Sequence, residues 1–453
     1  MKKVLVVCSD TLGTNMGGVG VRSWELACSL AKNFPVRLAV PNPTGLQQEN
    51  IEVVSYDLQH GDLRPYLQDV SVIIIQGFLL HFHPYLREAN IPLAIDLYVP
   101  FLLESLVWHS QDDLSSFVPA YEEYTRVQLD LLRAGDFFFC ASERQRDYWL
   151  GWLHAQKRIN PHTFAIDATL RNLIDVVPFG LPERKPQAKQ SVLKGVHPGI
   201  ELTDKVILWS GGLWDWLDPL TLIRSVAALA PHHPELKLYF LGTQHPNGQM
   251  SGMKMPGRAI QLSKELGILD RQVFFGNWVP YEQRESYLVE ADLSVISHLS
   301  HIETHFSFRT RVLDCFWAGL PLVITEGDAL SQLVAEEGVG LVVPPGDVQG
   351  MARAIESLLQ NLDNPAYGVA FDRLRQRFCW ENTIAPLRAF CMNPHIAADK
   401  GLYLTELERI TRDKDAFWQA VVDDRDDVIS RYRSALPYRI YRALKGFFGL
   451  RNG

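Results

Sequence analysis

Two arginines stand in a polar stretch that follows a short apolar run. Arg309 and Arg311 lie at the start of a helix that the pattern predicts over residues 308–318, where positive charge opposes the helix dipole. A bound anion would relieve that cost, and a diphosphate is one candidate. A salt bridge to Glu303 or Asp314 would relieve it as well, so a ligand site and a structural ion pair both remain open.

A glycine-rich turn near the N-terminus is a second candidate for anion binding. Gly17 and Gly18 follow the first apolar run and precede an amphipathic helix predicted over residues 22–32. Paired glycines let the backbone approach a ligand closely, and the N-terminus of a helix offers free N–H groups. The glycine spacing matches neither the dinucleotide fingerprint nor the phosphate loop, so a structural turn fits it too.

A third candidate combines aromatic and acidic side chains on one loop. Trp214 and Trp216 flank Asp215 within residues 209–219. Aromatic rings stack on sugar rings and carboxylates accept hydrogen bonds from sugar hydroxyls, so these three residues are candidates for sugar binding. Packing of the tryptophans in the core is the alternative.

Two acidic residues in the first half of the chain are candidates for the polar groups of a ligand site. Asp96 ends a predicted strand and Glu104 follows it. His81 and His83, after another strand, are alternatives, although a lone histidine is more often structural.

These residues must be positioned by an α/β fold, because short apolar runs alternate with amphipathic stretches. The runs predicted as buried strands are residues 4–8, 36–40, 51–55, 70–76, 92–96, 137–141, 174–178, 206–209, 236–241, 272–275, 293–296, 321–325 and 340–343. The alternation predicts parallel strands with crossover helices, the doubly wound α/β architecture, and such sheets bind ligands at the carboxyl ends of their strands.

A polar segment rich in Pro and Lys, residues 182–190, separates two such series and is predicted to be a linker. We therefore expect a Rossmann-like domain at residues 1–185, a second one at residues 200–380, and a cleft between them. Residues 381–453 are expected to form a C-terminal helical extension.

Composition and charge exclude several classes of protein. The chain has 453 residues, 47% of them hydrophobic and 21% charged, with a net charge of −8. This is ordinary globular composition with little to attract nucleic acid. No run approaches the roughly 18 apolar residues of a membrane-spanning helix. The six scattered cysteines predict a reducing cytoplasm and no zinc site.

The C-terminal tail differs in charge from the rest of the chain. Residues 431–453 contain six basic residues and no acidic one, so the tail carries +6 and the first 430 residues carry −14. On a helical wheel its aromatic and aliphatic residues fall on one side. Peripheral contact with an anionic membrane on its cytoplasmic face fits this composition, and a terminal helix packed on the body fits it equally.

Several segments together resemble the retaining family-4 glycosyltransferases. Residues 308–323 and 338–347 resemble the second domain of these enzymes, which have the GT-B fold of two Rossmann-like domains around a cleft. Weaker similarities lie at the Gly17-Gly18 turn, at residues 210–213 and at residues 378–382, where the family's chain crosses back onto the first domain. The resemblance covers about residues 1–392.

The resemblance implies a hexosyl transfer from a nucleotide-diphosphate sugar to a hydroxyl of a glycan or lipid-linked acceptor, with retention at the anomeric carbon. The nucleotide sugar is a co-substrate, and no cofactor is implied. Asp314 takes the position of a family Glu that binds the donor ribose. Gly17, Gly18, Ser307, Gly211 and Gly212 complete the expected donor-binding residues. The resemblance also implies that Asp96, near the place where the family often has His-Asp, orients the acceptor hydroxyl. The expected acceptor-binding residues are Trp214, Asp215, Trp216 and Glu104.

The sequence departs from the family at charged positions. Phe306 stands where another Glu is usual, and Gln332 replaces a later Glu. Gly212 and about Leu217 occupy the places of the Arg and Lys that hold the diphosphate. We therefore expect Arg309 and Arg311 to bind the diphosphate, with Glu303 as a substitute carboxylate.

The proposed cleft segments contain no Asp-x-Asp triplet, which predicts transfer without a metal ion. Two other readings stay open. One is a non-catalytic nucleotide-sugar binder that acts as an assembly partner, and the other is a different GT-B enzyme, an epimerase or an inverting transferase.

Overall fold

The computed structural model describes residues 2–110, 112–243, 253–400 and 406–434. In the first domain it contains seven strands: β1 (Lys3–Val7), β2 (Val36–Val40), β3 (Ile51–Ser55), β4 (Val70–Gln76), β5 (Leu93–Asp96), β6 (Phe137–Cys140) and β7 (Ile174–Val176). All are parallel, in the order β3-β2-β1-β4-β5-β6-β7. The helices of this domain are α1 (Gly18–Ala31), α2 (Leu79–Phe82), α3 (Phe101–Trp108), α4 (Leu114–Ala134), α5 (Glu143–Ala155) and α6 (Pro161–Ile166).

The second domain repeats the pattern. Its strands are β8 (Lys205–Ser210), β9 (Leu236–Leu241), β10 (Val273–Phe275), β11 (Leu293–Ile296), β12 (Leu322–Thr325) and β13 (Gly340–Val343). They form a parallel sheet in the order β10-β9-β8-β11-β12-β13. Its helices are α7 (Pro219–Leu229), α8 (Met255–Glu265), α9 (Arg284–Glu290), α10 (Ile302–Phe306), α11 (Thr310–Ala318), α12 (Ser331–Glu336) and α13 (Val348–Leu359).

Both sheets are covered by helices, which explains the continuous apolar runs of their central strands. Val4, Leu5 and Val72 to Ile75 are at most 2% exposed. The strand order reverses direction between β1 and β4 in the first sheet and between β8 and β11 in the second. The doubly wound prediction is confirmed, and these two reversals are where such sheets bind ligands.

The chain returns to the first domain after α14 (Ala366–Phe378), through α15 (Trp380–Thr383) and α16 (Ala385–Met392). Cys379 forms an isolated parallel β-bridge with Leu181 through the backbone, and the ring of Phe390 stacks on that of Phe137 with centroids 4.8 Å apart. Residues 381–400 therefore pack with the first domain, and residues 1–400 form one compact unit.

Helix α17 (Glu406–Ser434) belongs to a separate unit. Residues 435–453 of the basic tail lie outside the described residues, so the expected amphipathic tail helix stays a prediction. Among the described helices, none combines the length and apolar character needed to cross a membrane.

Candidate active site

A cavity of about 210 Å³ lies where the two strand-order reversals face each other. From the first domain, Gly17, which precedes α1, and Gly18, its first residue, line the cavity. From the second domain, Gly211 and Gly212 line it directly after β8. The cavity is thus bounded by backbone from the carboxyl ends of two central strands, as expected for a ligand site in this architecture.

The N-terminus of α1 presents its backbone to the cavity without a side-chain cap. Gly17 is the N-cap residue, and its first turn contains no acidic residue. Gly20 must be glycine, because a Cβ there would lie 2.5 Å from the Thr11 carbonyl oxygen. The turn therefore folds tightly against the start of the helix and leaves N–H groups and the positive end of the dipole for an anion.

Arg311 extends from α11 into the same cavity. Its guanidinium donates to the Gly212 carbonyl oxygen and lies 5.1 Å from the ring centre of Trp209. Gly211 has φ of +120°, and a Cβ there would come within 3.1 Å of Arg311 Nε, so only glycine fits at this point.

The charge of Arg311 has no carboxylate oxygen within 4 Å among the described residues. Burial, together with the positive charge of Arg309, lowers the pKa of Arg311 to about 9. A buried cation whose charged form is disfavoured in the empty site is suited to receive an anionic ligand.

Asp314 lies one turn further along α11 and also lines the cavity. Burial raises the pKa of its carboxyl group, and the charges of Arg284 and Arg311 oppose that effect. Arg284 Nε is 3.5 Å from Asp314 Oδ1, and the Arg284 guanidinium lies 3.8 Å from the ring centre of Tyr281.

Sequence reasoning missed Arg284 and Tyr281, which both line the cavity. Arg284 is the first residue of α9, so its positive charge opposes the helix dipole. The same reasoning makes Arg309 and Arg311 candidates in the sequence. That signal was present in the sequence.

The expectation that Arg309 binds the diphosphate is not supported by its position. Arg309 is 9% exposed, is absent from the cavity lining, and donates to Glu303 Oε2 at 2.7 Å. The structural salt bridge is therefore the correct alternative for this arginine. Ser307, an expected donor-binding residue, is likewise buried and absent from the cavity lining, and its hydroxyl donates to the Thr304 carbonyl oxygen at 3.0 Å.

Glu104 of the first domain faces this ion pair of the second domain. Burial and, to a lesser extent, the charge of Glu303 raise the pKa of Glu104 to about 8, against the opposing charge of Arg309. Helix α3, which carries Glu104, contacts α10, which carries Glu303. The predicted acceptor residue and the predicted substitute carboxylate thus lie on helices that meet at the interface of the two domains, and neither residue lines the cavity.

The contacts of Asp96 contradict the expectation that this residue orients an acceptor hydroxyl. Its carboxylate accepts from Arg22 Nε at 2.6 Å and Nη2 at 3.2 Å, and from the Tyr98 backbone N–H at 3.0 Å. Both oxygens are bonded and the side chain is 3% exposed. Asp96 therefore fixes α1 to the sheet and is not free to orient an acceptor.

The prediction for the loop Trp214-Asp215-Trp216 holds only in part. Trp214 lines the cavity, whereas Trp216 is 7% exposed and stacks behind it, with ring centres 5.6 Å apart. Asp215 accepts hydrogen bonds from the backbone N–H groups of Lys254 and Met255, and so holds the start of α8. Among these three residues, Trp214 is the one that lines the cavity.

The described residues include no group of three His, Cys, Asp or Glu side chains that is suited to hold a metal ion. The positively charged groups at the cavity are the N-terminus of α1 and the side chains of Arg284 and Arg311. Two parallel α/β domains that meet at such a cavity define the GT-B architecture.

Comparison with known proteins agrees with this class. Residues 204–361 match the family described as Glycosyl transferases group 1. A D-inositol 3-phosphate glycosyltransferase from Corynebacterium urealyticum is 32% identical over 190 residues, which cover 42% of this chain and 43% of the relative. Another from Nocardia farcinica is 26% identical over 193 residues, or 43% of this chain and 41% of the relative. The chain thus spans less than half the length of the curated relatives it matches.

Solved structures are similar over most of the chain. A sucrose-phosphate synthase from Thermosynechococcus elongatus has a TM-score of 0.61 at 17% identity, covering 86% of this chain and 98% of that one. Anabaena HepE, in complex with UDP and glucose, has a TM-score of 0.59 at 15% identity, covering 87% and 100%. At these identities the similarity establishes the fold.

Proposed function

We propose that this protein is a glycosyltransferase that moves a hexosyl group from a nucleotide-diphosphate sugar to an acceptor hydroxyl, with retention and without a metal ion. The observation that carries the proposal is the cavity at both strand-order reversals, where Arg311 and the N-terminus of α1 converge. A diphosphate bound there would receive positive charge from both domains. The relatives named as glycosyltransferases support the same class.

The positive groups of the cavity are expected to stabilise the departing diphosphate more than the intact donor. The diphosphate gains charge as the bond to the anomeric carbon breaks, and preorganised donors around it stabilise that charge. Arg311 is fixed by the Gly212 carbonyl and the Trp209 ring before any ligand binds. Little reorganisation is then needed at the moment of reaction.

The transfer is proposed to occur on one face of the sugar. The bond between the anomeric carbon and the diphosphate oxygen breaks, and the acceptor oxygen bonds to the same face of that carbon. The acceptor proton passes to the departing phosphate oxygen. This route needs no separate general base, which agrees with the burial of Asp96 in an ion pair.

For the acceptor, we propose a hydroxyl of a glycan or a lipid-linked glycan, used at the cytoplasmic face of a membrane. Six free cysteines suit a reducing compartment. The names of the curated relatives supply a specific acceptor to include in assays, D-inositol 3-phosphate.

The donor is tested first by thermal shift with UDP, GDP, ADP and dTDP and their glucose conjugates. A ligand present at 100 times its Kd stabilises the native state by about 2.7 kcal/mol. A shift with one base identifies the donor, and NMR of the product's anomeric proton then reports retention or inversion. No shift with any nucleotide would refute the proposal.

A non-catalytic nucleotide-sugar binder is the second candidate, and one observation favours it. Glu303, the nearest carboxylate to the missing family Glu at Phe306, is held by Arg309 and is fully buried. Nucleotide binding without sugar release to any acceptor or to water would select this alternative. Inverted product would select an inverting transferase.

A further inference from the structure

A chain of contacts crosses the cavity from the first domain to Asp314. The Tyr281 hydroxyl donates to Glu25 Oε1 of α1 at 2.8 Å, and the Tyr281 backbone N–H donates to the Thr14 carbonyl oxygen at 2.9 Å. The Arg284 guanidinium rests on the Tyr281 ring at 3.8 Å. Its Nε then faces Asp314 Oδ1 at 3.5 Å. Tyr281 is thereby fixed by both domains.

Among the described residues, Asp314 is the carboxylate that lies within 4 Å of an Arg284 nitrogen, while the charges of Glu25 and Glu285 act on Arg284 from further away. Glu285, its neighbour in sequence, is bonded to both Arg184 Nη atoms, at 2.5 and 3.1 Å. Glu25 accepts from Tyr281. Arg284 Nε is buried and makes no hydrogen bond within the described residues, because 3.5 Å is too long for one. The Arg284 side chain is 17% exposed and the Asp314 side chain is 24% exposed, and both line the cavity.

We propose that Arg284 is a positioning residue for the nucleoside of the donor, acting through Asp314. It keeps the Asp314 carboxylate ionised and directed into the cavity, where both oxygens can accept hydrogen bonds from the ribose hydroxyls. The Tyr281 ring holds the guanidinium in the orientation that this requires. The inference rests on the proposed function, since it takes a ribonucleotide as the ligand of the cavity.

Physical chemistry favours this role over simple packing. A carboxylate in a buried site tends to take up a proton, and a protonated Asp314 would offer one acceptor oxygen fewer to a diol. A cation within 4 Å opposes protonation. An arginine held flat on an aromatic ring is well suited to this task, because its plane and charge are both fixed.

The test is the ratio of the Kd values of 2′-deoxy and ribonucleotides. Calorimetry is performed on the full chain with UDP, GDP and ADP, each beside its 2′-deoxy form. We expect the wild-type protein to prefer the ribonucleotide by about tenfold or more, as for loss of one hydrogen bond to a charged group. In Arg284→Met the ratio should fall close to one, with the main loss in ribonucleotide affinity.

Matched variants separate positioning from folding. Arg224→Met changes an exposed arginine of α7 and should keep the wild-type ratio. Tyr281→Phe keeps the ring and should keep most of the ratio, whereas Tyr281→Leu removes the ring and should lower it. Arg284→Lys keeps a positive charge without the planar guanidinium. If the Met variant does not fold, the Kd ratio is measured on this variant instead. We expect the ratio to fall in this variant too.

Each outcome bears on one proposal or on both. If Arg284→Met or Arg284→Lys discriminates as the wild type does, or weakens both nucleotide forms equally, the positioning role is wrong while the proposed function stands. A wild type that binds ribo and deoxy forms equally also overturns the role. If the wild type binds none of the nucleotides, the proposed function itself fails and the inference fails with it.

Discussion

Replacing Arg311 with Met is expected to weaken nucleotide binding without destabilising the empty protein. The pKa of Arg311 falls to about 9 because of burial and of the Arg309 charge. Each pKa unit corresponds to about 1.4 kcal/mol, so the empty site disfavours this charge by a few kcal/mol. Removing the charge therefore relieves a cost that the ligand-free fold carries.

The same substitution removes one charge-assisted contact to the diphosphate. Such contacts contribute about 1.5–3 kcal/mol, which is about 10- to 100-fold in Kd. We expect Arg311→Met to lose this much affinity for the nucleoside diphosphate while its unliganded Tm stays equal to or above that of the wild type. The exposed Arg224 serves as the matched control, since Arg224→Met should change neither quantity.

The pH dependence follows from the same residue. A cation with a lowered pKa in the folded state destabilises the fold at pH values below that pKa, and the cost diminishes as pH rises above about 9. Nucleotide affinity should change in the opposite direction and fall above about pH 9. Calorimetry from pH 7 to 10 measures this, with Arg311→Met as the control for titration of the nucleobase. A wild-type profile parallel to that of the variant, or a clear loss of Tm in Arg311→Met, would refute the reasoning.

Three further predictions concern the surroundings of the cavity. Asp96→Asn should cost about 3–5 kcal/mol of unfolding free energy in urea titrations, because Arg22 would remain buried without its charged partner. Glu104→Gln should stabilise the protein more at pH 8.5 than at pH 5. The raised pKa of Glu104, about 8, makes the wild type lose stability between about pH 4.5 and 8, and equal effects at both pH values would contradict this. Turnover with an identified donor should be unchanged by EDTA, and a loss restored by Mg²⁺ would show that a metal ion takes part.

The strands were the most predictable part of the fold. Each of the thirteen predicted apolar runs contains or overlaps a strand, and several, such as Val36–Val40 and Val70–Gln76, agree residue by residue. Parallel strands buried on both faces produce uninterrupted apolar runs, which a single sequence displays plainly. Gly319 likewise ends α11 in the left-handed conformation that its position after the helix predicted.

The site was less predictable, because its chemistry depends on which side chains meet across the two domains. Tyr281 and Glu25 are 256 positions apart and are joined by one hydrogen bond. Asp96 resembled a free carboxylate at a strand end until its partner Arg22, 74 positions away, was placed beside it. Spacing along the chain carries little information about such pairs.

Arg309 and Arg311 show that spacing along the chain is a poor guide to contacts even for residues two positions apart. In the sequence they are equivalent, since both stand at the start of the same predicted helix, and both are predicted to bind the diphosphate. In the structure Arg309 is the extended N-cap residue and turns to Glu303, whereas Arg311 lies inside the first turn and enters the cavity. Because Arg309 lies outside the helix in extended backbone and Arg311 lies inside it, their equivalence in the sequence does not place both side chains in one cavity. A second guanidinium reaches the cavity from another element, since Arg284 of α9 lines it with its Nε 3.5 Å from Asp314 Oδ1.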